Sequence, residues 1–209
     1  MGKTFPLLLS AAVLAGAAAG AGTSFISTWK DPAAKAGTFQ GKKVVAVFMS
    51  KDESLRRGIE GSLAADLTRR GAQGVPAYSL IPTADIKDEA KAKAKITESG
   101  AVGVVILRLV GQDQEFTESS AMYYATPGYG SMWGGYWGTG WGGIYDPGYV
   151  RMDKFFQVEV LVYSVEQNKL VWAGQSRTKN PKSADKLVRD IVDKVAGEMR
   201  KAGLIQKPG

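Results

Sequence analysis

Aromatic side chains at a regular spacing are the residues of this sequence that could make specific contacts. Between Ser119 and Tyr145 the chain has no charged residue, and tryptophan recurs there at every fourth position from 133 to 141. Trp and Tyr rings stack on other rings and dominate the energetically important positions of protein interfaces. The sequence therefore predicts a contact surface in this segment. Its candidate binding residues are Tyr129, Trp133, Tyr136, Trp137, Trp141 and Tyr145.

The glycines between these rings decide which backbone the segment can adopt. A spacing of four residues would align the rings on one helix face, but the many glycines between Gly134 and Gly143 oppose a stable helix. We expect an irregular loop or a loose hairpin. Three roles for the rings stay open: packing on one another over a sheet, contact with a protein or a second copy, and stacking on a glycan or insertion at a membrane surface.

The usual groups of enzyme active sites are missing from the sequence. It contains no His and no Cys, which removes the imidazole base, the thiol nucleophile and the common zinc ligands. The glycines around Tyr129 lack the GK[ST] ending of a phosphate-binding loop. Asp113 and Glu115 could act as acid and base, but their alternation favours a solvated strand edge. We expect no enzyme activity, no metal and no cofactor.

The amino-terminal residues have the pattern of an export signal. Lys3 precedes an apolar run that is rich in alanine and glycine and ends in small residues suited to cleavage. We expect residues 1–21 to be a signal peptide, with an uncleaved membrane anchor as the less favoured alternative. Residues 14–16 resemble a lipobox, but Ala17 stands where the acylated cysteine would follow, so we expect no lipid. The predicted location is the periplasm or cell envelope.

The basic excess of the chain is modest. A net charge of +7 could favour anionic headgroups or cell-wall polymers, and it also serves solubility. No basic stripe interleaves with the aromatic residues, so we expect no nucleic-acid partner. The predicted partners are an envelope protein or a second copy of the chain, with peptidoglycan or a membrane surface as alternatives.

Hydrophobic periodicity predicts the elements that carry these features. Buried strands are predicted at 44–49, 75–80 and 102–110, and helices at about 50–70, 84–99 and 183–202. After the insertion, valines alternate with Gln157 and Glu159, which predicts an antiparallel strand with one solvated face. Asn168 is the expected left-handed residue of the hairpin turn that leads to a return strand at 170–177.

These elements define the expected fold and domain organisation. Their order is β-α-β-α-β, insertion, β-β-α, which predicts an α/β (α+β) class with a mixed β-sheet packed with about three helices. An extended amino-terminal arm is expected at 22–41. A single α/β domain is expected at 42–205, with the Gly/Trp/Tyr-rich insertion at 119–150.

The first helix carries an apolar stripe and two pairs of arginines. Ser50 and Glu53 match a capping box at its start. The residues at i+4 spacing on its apolar face are Leu55, Ile59, Leu63 and Leu67. The arginines off that stripe are Arg56, Arg57, Arg69 and Arg70. They are interpreted as a solvated face, with a basic surface for anionic lipid or a partner as the alternative.

The chain resembles a periplasmic domain family, and the resemblance covers nearly all of the expected mature chain. The stretch Lys43–Val47, the glycine at 71 and the run Gly100–Val105 are similar to the layout of the amino-terminal domain of TolB, of CsgG and of LpoB. Further stretches resemble a group of bacterial envelope lipoproteins without an established activity. These are residues 27–32, residues 170–174 and residues 198–205.

The resemblance implies an envelope role but transfers no functional residue. Ala17 stands where that group carries its lipid-bearing cysteine. Relatives with known roles bind proteins or assemble, which is an analogy at the level of the fold. We therefore expect an exported cell-envelope protein that acts without catalysis as a protein-binding or assembly module, with glycan binding through the aromatic loop as the alternative.

Overall fold

The computed structural model describes residues 22–35, 37–112, 127–142, 155–179, 183–201 and 203–205. The expected signal peptide, the acidic pair Asp113 and Glu115, the candidate Tyr145 and both ends of the insertion lie outside these residues. Within them, no helix combines the length and the apolar character that crossing a membrane requires.

A six-stranded sheet organises the described chain. Its strands are β1 (Thr23–Lys30), β2 (Lys43–Met49), β3 (Gln73–Pro76), β4 (Gly103–Gln112), β5 (Phe155–Ser164) and β6 (Lys169–Lys179). The spatial order is β1-β6-β5-β4-β2-β3, in which β2 runs parallel to β3 and β4 and the other pairs are antiparallel. The predicted mixed sheet is confirmed. Residues expected as an extended arm supply β1, which joins the sheet at its edge.

The direction of each strand pair determines the type of connection between its strands. Parallel strands need a crossover, and helices supply it between β2 and β3 and between β3 and β4. The antiparallel pair β5 and β6 is joined by a tight hairpin, in which Asn168 has the predicted left-handed backbone with a φ of 48°. The helices are α1 (Glu53–Arg69), α2 (Glu89–Glu98), α3 (Pro127–Gly130), α4 (Trp137–Gly140) and α5 (Ala184–Lys201).

Aspartates cap the first two helices. The Asp52 carboxylate accepts a hydrogen bond from the Leu55 N–H at 3.0 Å, so α1 begins after Asp52 and not at the expected Ser50 cap. Asp88 does the same at the start of α2, which is therefore shorter than the predicted helix. The predicted second strand also ends early, because the Tyr78 N–H leaves the ladder and donates to a buried carboxylate.

Helices and turns cover both faces of the sheet. Side chains alternate along β2, so Val44, Ala46 and Phe48 pack on one face and Val45, Val47 and Met49 pack on the other. The first face is covered by α1 and α5. The second is covered by α2 and by residues 127–142, which we call the aromatic cap. The described centre of the insertion is therefore a layer of the fold.

Candidate functional site: the aromatic cap

The predicted contact residues point into the protein. Trp133, Tyr136, Trp137 and Trp141 are all buried, and Trp137 has no exposed surface. Tyr129 is half-buried and packs against the same core cluster. Tyr145 lies outside the described residues. Of the three roles left open for the rings, the geometry of the described residues shows self-packing over the sheet.

The rings form two series of contacts, one of tryptophans and one of tyrosines. Trp133 and Trp137 lie 5.1 Å apart between ring centroids, and Trp137 meets Trp141 edge-on at 6.0 Å. Tyr136 lies 5.2 Å from Tyr129 and 6.1 Å from Tyr163 of β5. Such tilted and edge-on pairs stabilise by about 0.5–1.5 kcal/mol each beyond the area that they bury. The tyrosine series thus links the cap to β5 of the sheet.

The cap backbone differs from the expected loop or loose hairpin. It consists of α3, a wide turn at Met132–Tyr136 and α4, each only about one turn long. Trp133 and Gly134 leave the helical region in the middle of the wide turn, and Gly134 has a φ of 74° that favours glycine. Glycine breaks a long helix here, but ring burial supplies the stability that single turns lack.

A buried ion pair lies beneath the cap. Arg108 of β4 and Glu159 of β5 face each other across the strands, with Nη2 and Oε2 at 3.0 Å. The Tyr136 hydroxyl donates to Glu159 Oε2 at 2.7 Å, and Arg108 donates to the Tyr129 hydroxyl at 3.1 Å. Arg108 also lies over the Tyr136 ring, 5.2 Å from its centroid. These charges therefore hold two cap tyrosines against the sheet.

The ionisation of this cluster follows from its burial. Burial, and next the negative charge of Glu159, raise the pKa of Tyr136 well above its usual value. Burial disfavours a charge on Arg108, but the neighbouring Tyr136 and Glu159 oxygens raise the pKa of Arg108 above its usual value. The tyrosine stays protonated and the guanidinium stays charged at ordinary pH. Neither group is therefore suited to proton transfer, which needs a pKa near the working pH.

Two polar side chains and one backbone carbonyl outside the cap fasten its other end. Asn168 accepts from the Trp133 N–H at 2.8 Å and donates to the Trp133 carbonyl and to the Ser131 hydroxyl. Glu89 of α2 accepts from the Gly134 N–H at 2.6 Å. The Trp137 indole N–H donates to the carbonyl of residue 86 at 3.1 Å. The hairpin turn and α2 thus position the cap from two sides.

Sequence reasoning missed the ion pair because it predicted a solvated face on β5. Gln157 and Glu159 are in fact buried, and Gln157 accepts from the Gln175 amide at 3.2 Å. The signal was present as single charged residues in apolar strands, Arg108 in β4 and Glu159 in β5. A lone charge in a buried strand requires an oppositely charged partner, and these two are cross-strand neighbours.

The outer surface of the cap carries small, uncharged residues. With the rings turned inward, the exposed positions are Gly128, Gly134, Gly138, Thr139 and Gly142. Gly140 instead faces inward, where an added Cβ would lie 2.9 Å from the Met49 sulfur, so its lack of a side chain lets the cap approach β2 closely. Interface centres are depleted in charged residues, and ordinary surfaces are not. The exposed positions described for the cap share only this lack of charge with interface centres.

The place where open α/β sheets hold ligands is filled in this chain. Ligands of such sheets bind at the carboxyl ends of two neighbouring strands whose following helices lie on opposite faces of the sheet. In this chain these strands are β2, which is followed by α1, and β3, which is followed by α2. Arg56 and Glu60 of α1 occupy that position, with both side chains buried. Glu60 accepts from the backbone N–H groups of Phe48 and Tyr78 at 3.2 and 2.8 Å. The ion pair closes the crevice.

This ion pair also corrects the prediction for the first helix. Arg56, placed by the sequence on a solvated face, is 1% exposed, whereas Leu55 of the expected apolar stripe is 37% exposed. Burial raises the pKa of Glu60, and the Arg56 charge opposes that shift. Arg57 and Arg70 are paired with carboxylates of Glu53 and Asp66, so α1 does not present an array of unpaired arginines.

A second concave feature lies between α1 and α5. It is a cleft of about 590 Å³ including its mouth, and its lining is almost wholly apolar. Val195 and Met199 of α5, Leu63 of α1 and Val160 of β5 contribute to it. The ion pair between Arg70 and Asp193 bridges the two helices at its edge. In the described residues no group of three or more acidic side chains could hold a metal ion.

Comparisons with known proteins give structural similarity only. No protein-family model and no curated protein matches the sequence. Two structures of the PelC dodecamer from Paraburkholderia phytofirmans, one of them a point variant, are 12% identical. They have TM-scores of 0.47 and cover 87% and 88% of this chain and 99% of their own. Lipoprotein GNA1162 from Neisseria meningitidis is 14% identical, with a TM-score of 0.38 and coverage of 76% of this chain and 96% of its own. Similarity at this level does not assign the chain to a family.

Proposed function

We propose that the chain is an exported cell-envelope protein that acts without catalysis as a protein-binding or assembly module, and that the outer surface of the aromatic cap is its contact surface. The amino-terminal signal pattern supports export. The lack of His and Cys in the sequence supports a role other than catalysis. The polar and aromatic groups of the cap and of the sheet beneath it are tyrosine, tryptophan and a paired charge, which bind and position rather than react.

The observation that carries the proposal is the charge-free stretch from Ser119 to Tyr145, whose described centre lies on the surface of the fold. Its rings face inward and attach the cap to the sheet, and its exposed positions are four glycines and Thr139. A rigid surface loses little conformational entropy on binding, and a surface without charged side chains loses little hydration energy. Both properties favour association with another protein surface.

The alternative of glycan binding through the same rings has less support in this geometry. Sugars stack on the open faces of aromatic rings, and the cap rings are packed on one another and on the sheet. Tyr129 is the one described candidate ring that is only half-buried, and its hydroxyl is occupied by Arg108. We therefore place protein contact before glycan contact.

A charge placed on the outer surface of the cap tests the proposal. In Gly128→Lys/Thr139→Lys, both new side chains point away from the core, since an added Cβ at Gly128 meets no atom within 4 Å and Thr139 is exposed. The matched control is Gly58→Lys/Ala65→Lys on exposed positions of α1, which adds the same charge on the opposite face. Capture of an envelope protein from native envelope extract is quantified by mass spectrometry.

We expect the cap variant to lose about tenfold or more of its capture of an envelope protein, because desolvating two ammonium groups costs more than the 1.4 kcal/mol of a tenfold change. The control should capture as the wild type does, and neither variant should melt below the wild type, since lysine has a higher helix propensity than the glycine it replaces. Equal capture by cap variant and control would contradict the proposal. Quenching of tryptophan fluorescence by peptidoglycan fragments, equal in wild type and cap variant, would favour the glycan alternative.

A further inference from the structure

The two edges of the sheet differ in how they are protected. The edge strand β3 has four residues, ends at Pro76 and continues into a tight turn, all of which discourage further pairing. The other edge strand, β1, has eight residues with no proline and no charge before Lys30. Among the described strands, none pairs with its outer side. Natural sheets seldom leave an edge of this length without a partner.

We propose that β1 pairs antiparallel with β1 of a second copy of this chain, joining the two sheets edge to edge. This surface is separate from the aromatic cap, which covers a face of the sheet. The occupant is a second copy because the outward backbone groups of β1 are arranged symmetrically about its own centre.

The hydrogen bonds to β6 show which groups of β1 point outward. Asp31 donates its N–H to Val171 of β6, and Gly22 accepts from Lys179 of the same strand. Because successive residues of an antiparallel strand alternate in direction, Thr28 and Phe25 direct their own N–H and C=O groups away from β6. The bulge at Ile26 separates these two residues and changes the alternation between them.

The bulge makes this outward pattern two-fold symmetric. A two-fold axis between Ile26 and Ser27 places Thr28 opposite the partner's Phe25, so that outward N–H groups meet outward C=O groups. Both residues pair with β6 positions on the same side of the sheet, Gly174 and Ser176, so the side chains also match. The opposite direction would set Lys30 beside the partner's Lys30, and like charges disfavour that arrangement.

Both ends of β1 are anchored, so the edge is already in its pairing conformation. Asp31 forms an ion pair with Lys169 at 2.7 Å just after the strand. Phe25 packs edge-on against Trp172 at 5.7 Å between ring centroids. A strand that is held in this way loses little freedom when it pairs. One strand pair buries less than the roughly 1,600 Å² of a standard stable interface, so we expect a weak, concentration-dependent dimer.

The variant Thr28→Pro tests this pairing. Proline removes an outward N–H without removing a bond to β6, and its fixed φ is compatible with an edge strand. The matched control is Thr28→Val, which has nearly the same shape and keeps the N–H. In sedimentation equilibrium over a concentration series, we expect wild type and Thr28→Val to dimerise alike. The dimer of Thr28→Pro should be about tenfold or more weaker, since each dimer loses two backbone hydrogen bonds.

A second variant keeps the test decisive if Thr28→Pro fails to fold, which circular dichroism would show. Ile26→Lys retains every backbone N–H and places two like charges near the two-fold axis, so its dimer should be weak at low salt and recover at high salt. The cap variant Gly128→Lys/Thr139→Lys should dimerise as the wild type does. A wild type that stays monomeric at its highest soluble concentration, or variants that dimerise unchanged, would overturn the proposal.

Discussion

Single buried charges determine how the cap is attached to the sheet. Arg108 and Glu159 each have apolar neighbours in their own strands, and they are stable there because each is the other's partner. Glu159 also accepts from Tyr136, so this carboxylate links the sheet to the cap. Such a pair adds little net stability over an apolar core, but breaking it leaves an uncompensated charge.

Removing one member of this pair should therefore cost far more than removing both. Glu159→Leu leaves Arg108 buried and unpaired, and we expect a loss of about 3–5 kcal/mol in the free energy of unfolding, measured by urea denaturation. Arg108→Met/Glu159→Leu should recover most of that loss. Costs of the two single variants that simply add in the double variant would contradict the coupling. Tryptophan fluorescence reports in the same samples whether the cap stays packed.

The carboxylate after β1 should make stability depend on pH. Burial acts to raise the pKa of Asp31, but hydrogen bonds from Lys169 and from the Ala33 N–H outweigh it and leave the pKa lowered. A lowered pKa in the folded state stabilises the protein above the unfolded value of about 3.8, and this contribution disappears as pH falls through the folded value.

Asp31→Asn should accordingly destabilise at neutral pH by about 0.5–1 kcal/mol, since the Lys169 partner is half exposed to solvent. At a pH below the folded pKa, variant and wild type should unfold at the same urea concentration, because the wild-type carboxyl is then protonated too. An equal difference at both pH values would assign the effect to packing instead of charge. Lys169→Met is the control: it removes the same ion pair through its other member, so it should show a loss of stability at neutral pH of the same size.

At the scale of elements, the cap shows how a glycine-rich segment becomes ordered. No part of it is long enough to be stable as an isolated helix. Its order comes from four rings buried on the sheet and from bonds to α2 and to the hairpin turn. A segment of this kind depends on the surface beneath it, so the cap and its face of the sheet form one unit.

The seam between α1 and α5 is packed less completely than the sheet interior. The apolar cleft there has unfilled space, and Val195 is one of the residues that line it. Val195→Ile should stabilise the protein by about 0.8 kcal/mol, because one added methylene can be buried without displacing a neighbour. Val47→Ile, the same change at a fully buried site that does not line the cleft, should destabilise by about 1–3 kcal/mol. Stability is measured by urea denaturation, and a loss in both variants would show that the cleft cannot take a methylene at position 195.

At the scale of the whole molecule, the described chain has three layers and two candidate contact surfaces. One layer is α1 with α5, the middle layer is the sheet, and the third is α2 with the aromatic cap. The outer side of the cap and the outer edge of β1 belong to different parts of this arrangement. Edge pairing between two copies would leave each cap available for another partner, so a dimer with two binding surfaces is compatible with the fold.

Several elements followed from the sequence because short-range physics controls them. The strand of alternating residues in β5, the buried strand β2 and the left-handed Asn168 depend on periodicity and on local backbone preference. The boundaries of α2 and β3 were less accurate. Asp88 caps the start of α2. The strand β3 ends where the Tyr78 N–H donates a hydrogen bond to Glu60 of α1.

The sequence by itself determined the mixed α/β class and the presence of an uncharged aromatic segment, because hydrophobic spacing and composition are local properties. Only the tertiary structure decided that the rings of that segment point inward, that Arg56 and Glu159 are buried, and that β1 is a sheet edge. Burial depends on which distant residues meet: Arg108 and Glu159 are far apart in the chain and adjacent in the sheet. In the cap, the burial of the aromatic rings likewise outweighs the low helix propensity of glycine. The area that a ring buries cannot be read from the sequence alone.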